Sequence, residues 1–183
     1  MNTTTSTTDK PHSSKSDAAA EQPCSGPMAQ PTREHAWLER FVGAWELELD
    51  MPMGPGKPTM KTRGSEQARM LGGFWLVSEG QNNDFPFRCM LTLGYDSRKL
   101  KYVGSWIDTM TNYLWRYEGS VDPSGRILTL ETQGPSPMAP DHFTKFREVT
   151  EFLSDDHRVF TSSMLDEEGN WQPCLTIHFH RKR

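Results

Sequence analysis

Residues 45–51 alternate strictly between apolar and polar side chains, which is the pattern of a strand with one buried face. The apolar row consists of Trp45, Leu47, Leu49 and Met51, and the positions between them are acidic. The preceding segment instead places Trp37, Leu38, Phe41 and Val42 on one face of a helix. We therefore predict a short helix over Ala36 to Val42 that ends at Gly43 and leads directly into a strand.

From residue 59 onward the chain contains short runs of β-branched and aromatic residues separated by turn-forming Gly, Pro, Asp and Asn. These runs predict about ten strands joined mostly by short connections. Parallel strands need long crossovers, and the sequence offers none, so the strands are expected to form an antiparallel meander. The predicted fold is all-β: a single up-and-down β-barrel of about ten strands, with the short N-terminal helix closing one end.

Residues 1–33 are rich in Ser, Thr and Pro and lack apolar periodicity, so we expect a disordered tail before a barrel domain at 34–183. The tail carries equal numbers of acidic and basic residues, so the barrel keeps the whole net charge of −4. A mildly acidic domain is a poor nucleic-acid binder. No apolar run suggests a signal peptide or a membrane span, and the three cysteines suggest no disulfide framework. A cytoplasmic protein is therefore expected, and the sequence does not indicate its oligomeric state.

The Gly43-x-Trp45 motif after a short helix resembles the opening of the calycins, the group of lipocalins and fatty-acid-binding proteins. In that group the Trp lies at the barrel base, and a cationic side chain near the chain end packs across it. The resemblance implies that Arg181 takes this role here.

Longer segments, among them "TLGYDSRKLKYVGSWIDTM" and "DDHRVFTSSM", resemble a bacterial family catalogued as domain of unknown function fifteen seventy-nine. The resemblance covers about residues 35–182 and implies a calycin-like barrel. It implies neither an activity nor site residues.

Aromatic residues in three predicted strands are candidates for the wall of a ligand pocket inside the barrel: Trp75, Trp106, Tyr113, Trp115 and Tyr117. The alternative is that they fill a solid core. Glu79 and Asp108 share strand faces with Trp75 and Trp106, so they are candidate polar contacts for a ligand. The alternative for an acid such as Asp108 is a role in the turn that follows its strand.

His178 and His180 lie two residues apart in the last predicted strand, a spacing that suits a metal, and nitrobindins are barrels of similar plan that hold haem through a His. The apolar row of Leu175, Ile177 and Phe179 is expected to face inward, which turns both histidines outward. We therefore predict no cofactor and no metal, with haem or metal binding through these histidines as an alternative.

Together these observations predict non-covalent binding of a small, largely apolar or amphipathic molecule in the barrel lumen. One alternative is an enzyme acting on such a molecule in the same cavity, although no motif of nucleophilic or phosphate chemistry supports it. The other is a packed barrel that serves as a protein-interaction module.

Overall fold

A computed structural model describes Met1 and residues 28–53, 56–137 and 141–183. By its contacts the chain divides into two units, Met1–Gln30 and Pro31–Arg183, and the second unit contains the barrel. Most of the tail predicted at residues 1–33 lies outside the described residues. In the described part of the chain, no helix is long and apolar enough to cross a membrane.

The described residues form a closed barrel of ten strands, each antiparallel to its neighbours. In chain order these are β1 (Gly43–Met51), β2 (Met60–Leu71), β3 (Trp75–Asn82), β4 (Arg88–Asp96), β5 (Lys101–Asp108), β6 (Trp115–Val121), β7 (Ile127–Pro135), β8 (Phe143–Ser154), β9 (His157–Leu165) and β10 (Trp171–Arg181). Strand β1 pairs with both β2 and β10, and this closes the sheet. The predicted up-and-down antiparallel barrel is confirmed. Closure leaves no unpaired edge strand in the described barrel.

The alternation in β1 is read correctly from the sequence, because its apolar row faces the barrel interior. Trp45 is completely buried, and Leu47 is buried beside Phe179 of β10. Leu47 lies directly opposite Phe179 in the register, so the two strands present their apolar rows to the same interior.

The N-terminal helix is shorter and tighter than expected. Helix α1 (Arg33–Trp37) begins after Thr32, and the chain continues as a 3₁₀ turn at Leu38–Phe41 before β1 starts. Leu38 and Phe41 are buried in the main apolar cluster of the barrel. The indole N–H of Trp37 donates to the carbonyl of Gly125 in the β6–β7 turn, at 2.9 Å. The helical segment therefore closes one end of the barrel. We use the word mouth for the opposite end, where β5 leads into β6.

Two glycines let the strands approach closely on the inner face. A Cβ added to Gly104 would lie 2.1 Å from the carbonyl oxygen of Thr92, and one added to Gly119 would lie 1.9 Å from that of Thr129. Because real side chains do not tolerate such distances, both positions require glycine. They allow β4 to β7 to curve tightly enough for closure.

Candidate functional site

The base of the barrel carries the contact that the calycin resemblance implies. The guanidinium carbon of Arg181 lies 4.1 Å from the centroid of the Trp45 ring. Arg181 also donates to the carbonyl of Arg40 at 3.0 Å and to that of Val42, and the indole of Trp45 donates to the carbonyl of Phe41 at 2.7 Å. These bonds attach the end of the chain to the 3₁₀ turn and to β1.

A second cation lies deeper in the barrel, and no sequence pattern predicted it. Arg158 is only 2% exposed, and its guanidinium carbon lies 3.8 Å from the ring of Phe179 and 4.6 Å from that of Trp45. It donates to the carboxylate of Glu66. Burial lowers the pKa of Arg158 and Glu66 opposes that shift, so the guanidinium stays charged at neutral pH. This ion pair belongs to the closed half of the lumen.

A polar arc, defined here as Tyr117, Thr132, Glu148 and Ser162, crosses the inner face of β6 to β9. Glu148 and Ser162 are opposite each other in the register, and the Ser162 hydroxyl donates to Glu148 Oε1 at 3.1 Å. Burial raises the pKa of Glu148 to about 7. Burial also raises the pKa of Tyr117, and the nearby charge of Glu148 adds to that shift.

Two atoms of the polar arc have no hydrogen-bond partner among the described residues: Glu148 Oε2 and Thr132 Oγ1. Both atoms are buried. Buried polar groups in native proteins are almost always paired, and an unpaired one costs about 1–3 kcal/mol. The arc therefore has unused hydrogen-bonding capacity inside the barrel.

Aromatic rings lie on the mouth side of the polar arc, and we call Trp106, Trp115 and Phe146 the aromatic mouth. Trp106 and Trp115 are opposite each other on β5 and β6, in the inward row, and Trp115 packs edge-on against Phe146 with ring centroids 5.1 Å apart. A Cβ on Gly134 would lie 2.2 Å from the Trp115 ring, so the glycine provides the space for that indole. Tyr113 precedes β6 and donates its hydroxyl to the carbonyl of Gln133 at 2.9 Å. The structure thus brings together Trp106, Tyr113, Trp115 and Tyr117.

Trp75 and Glu79 do not line the lumen. In β3 the inward row contains Leu76 and Ser78, which are buried, whereas Trp75 is 43% exposed and Glu79 is exposed. Trp75 lies opposite Gly94, and a Cβ on that glycine would come within 2.5 Å of the indole. Because Gly94 has no side chain, the Trp75 ring packs directly against its backbone on the outer surface of the barrel. This explains why the large aromatic faces outward and the smaller leucine inward.

Asp108 faces inward but serves mainly the turn that follows β5. Its Oδ1 accepts from the backbone N–H groups of Met110 and Thr111 at 2.7 and 2.8 Å. Its Oδ2 accepts from the indole N–H of Trp106 at 3.2 Å. Asp108 therefore orients Trp106 and fixes the turn, and its oxygens are already engaged. Opposite it on β4, burial raises the pKa of the Cys89 thiol to about 12, which keeps it protonated and unreactive.

Two pockets lie elsewhere on the barrel. One of about 350 Å³ is bordered by β1 to β4, and its lining includes the buried Trp45, the inward-facing Glu66 and Cys89, and the exposed Glu79. Another of about 550 Å³ lies at the β3–β4 connection. Neither of these two pockets is lined by Trp106 or Trp115, so the aromatic mouth is distinct from both.

His178 and His180 lie on the outer row of β10, as the alternation predicts. There they meet His157 of β9, whose ring stacks on that of His180 with centroids 4.4 Å apart. Among the described residues, no group of three or more His, Cys, Asp or Glu side chains is placed so that it could hold a metal ion.

One solved structure shares the fold at low sequence identity, and two others match with lower TM-scores. Rv2717c from M. tuberculosis is 12% identical, with a TM-score of 0.58 over 84% of this chain and 100% of that one. The S-type phycobiliprotein lyase CPES from Guillardia theta is 13% identical, with a TM-score of 0.49 over 84% and 99%. A redesigned β-barrel is 12% identical, with a TM-score of 0.36 over 85% and 100%.

No curated protein sequence matches the chain. Residues 30–181 match the family described as "Protein of unknown function (DUF1579)", and this span includes all ten strands and the helical segment that closes the barrel. The chain therefore belongs to the DUF1579 family.

Proposed function

We propose that the barrel binds one small, largely apolar molecule without a covalent bond, in the mouth half of its lumen. The observation that carries this proposal is the pair of buried, unpartnered oxygens in the polar arc, on Glu148 and Thr132. In a barrel core that serves only for packing, buried polar atoms are hydrogen-bonded to each other or replaced by apolar groups. A bound molecule whose polar end donates to the Glu148 carboxylate, or accepts from the carboxyl when it is protonated, meets the need of Oε2.

The aromatic mouth supplies the apolar part of this site. Trp106 and Trp115 face the interior at the mouth side of the arc, and Phe146 supports the second indole. Ligand pockets commonly combine such aromatic walls with a few convergent polar groups. The favoured ligand is therefore amphipathic: its flat apolar body lies against the indoles, and its polar end reaches Glu148.

The test compares two tryptophans that differ in face. Protein purified gently from its own host is analysed by native mass spectrometry before and after denaturation, and any released molecule is titrated back while tryptophan fluorescence is recorded. We expect ligand-induced quenching to fall strongly in Trp115→Phe and to persist in Trp75→Phe, whose indole lies outside. Equal quenching in the two variants would contradict a site in the lumen.

An enzyme acting in the same cavity is the second candidate, and one observation favours it. Burial raises the pKa of Glu148 to about 7, which is suited to proton transfer near neutral pH. Chemical change of the released molecule on incubation with wild-type protein, lost in Glu148→Gln, would favour this function over simple binding.

A further inference from the structure

Three histidines form an outward-facing cluster where β9 begins beside the end of β10. His157 and His180 are opposite each other in the register. His178 lies two residues before His180 in β10 and on the same face of the strand. His157 Nε2 and His178 Nδ1 are 3.2 Å apart. The three rings are nearly parallel, with interplanar angles between 10° and 32°.

The 3.2 Å separation of these two nitrogens falls within the range spanned by two nitrogens that share one metal ion. Imidazole nitrogens lie about 2.0–2.1 Å from zinc, so two of them are about 2.9 Å apart at a right angle and about 3.3 Å apart at the tetrahedral angle. Without a metal, the same contact is a hydrogen bond that uses one proton between two neutral rings. A metal ion takes the place of that proton, which moves to the far nitrogen of the same ring, so that both rings bind as neutral ligands.

The surroundings of the cluster favour a cation. On the neighbouring strand β1, Glu46 lies opposite His180 and Glu48 lies opposite His178. Glu46 is also 3.4 Å from Lys182, an exposed pair that offsets only part of this negative charge.

We propose that His157 Nε2 and His178 Nδ1 together bind one divalent transition-metal ion, with water completing its coordination. Two imidazoles suit zinc, copper and nickel, and the open positions need no third protein ligand. His180 acts as a positioning residue, because its ring stacks on His157 and restricts that ring's rotation. The site is on the outer face and is independent of the proposed lumen function.

The test uses the full chain without an affinity tag and zinc ion alone as the probe. Isothermal titration at neutral pH compares wild type with His157→Asn, His178→Asn and His180→Asn. His142→Asn is the matched control, because His142 is an exposed histidine in the β7–β8 connection. Imidazole nitrogen chemical shifts, measured by NMR with and without zinc, identify the ligating atoms.

We expect one zinc ion per chain, with affinity reduced by roughly tenfold or more in His157→Asn and in His178→Asn because half of the protein ligands is lost. His180→Asn is expected to reduce it less, and His142→Asn not at all. The nitrogen shifts should change at His157 Nε2 and His178 Nδ1. The absence of saturable zinc binding, or equal affinity in wild type and His157→Asn, would overturn the proposal.

Discussion

The burial of Glu148 predicts a specific pH dependence of stability, which Glu148→Gln should remove. The pKa of this carboxyl rises from 4.5 to about 7 on folding. Below about pH 4.5 the group is protonated in both states, so its stabilising contribution, taken relative to high pH, is fully present and does not change with pH. Between that pH and 7 the unfolded chain loses its proton while the folded chain keeps it, so unfolding becomes progressively easier. Above pH 7 the folded protein holds a buried carboxylate, and the stabilisation is fully lost.

The size of the effect follows from the shift. One pKa unit corresponds to about 1.4 kcal/mol, so the free energy of unfolding should fall by about 3 kcal/mol from this group as the pH rises from about 4 to 8. Urea titrations followed by tryptophan fluorescence measure this free energy at each pH. The informative quantity is wild type minus Glu148→Gln, because titrations common to both proteins cancel.

Glu131→Gln is the control for this measurement. Glu131 lies on the outer face of the neighbouring strand β7, with its side chain 64% exposed and 3.2 Å from Arg147. Its removal should leave the pH profile of wild type almost unchanged. A constant difference between wild type and Glu148→Gln across the whole pH range would refute the reasoning, since it would mean that the folded state does not hold a neutral carboxyl at this position.

Two further predictions concern the cations at the barrel base. Arg158→Met should lower the free energy of unfolding by about 3–5 kcal/mol, because it leaves Glu66 buried without its partner. In urea titrations, the double variant with Glu66→Met should recover much of that loss. A double variant as unstable as Arg158→Met alone would contradict this prediction. Arg181→Ala should lower the free energy of unfolding by about 0.5–2 kcal/mol, because the contact with Trp45 is lost. Arg183→Ala is the control, because the Arg183 side chain is 91% exposed, and it should change the thermal midpoint very little. Equal effects of the two alanine variants would argue against a role for the ring contact.

The strands could be predicted from the sequence, because turn residues interrupt short β-favouring runs at regular intervals. The outward orientation of His178 could be predicted too, because Leu175, Ile177 and Phe179 form an apolar run in the opposite row of β10. In β3 the two rows are mixed, and the preference for placing a large aromatic inside led to the wrong face for Trp75. The prediction failed because the indole packs on the backbone of Gly94, which lies on the neighbouring strand β4 and is not adjacent in sequence.

Glu148 and Arg158 could not be found from the pattern alone. The inward row of β8 contains Glu148 between Phe146 and Thr150, and its outward row is equally mixed in polarity. Hydrophobic periodicity averages over a row, so it does not detect single charged residues that point into a barrel. Their placement depends on pairing across strands: Arg158 meets Glu66 of β2, and Glu148 meets Ser162 of β9.

The pairing of β1 with β10 also has a consequence for how the chain folds. Nine of the ten strand pairings of the described barrel join neighbours in sequence, and each closes only a short loop. The pairing of Trp45 with Arg181 instead joins the two ends of the barrel sequence. It closes the longest loop in the barrel and therefore carries the largest entropic cost of loop closure. We therefore expect the hairpins to form early and this seam to form late, so that Arg181→Ala accelerates unfolding and leaves the refolding rate nearly unchanged.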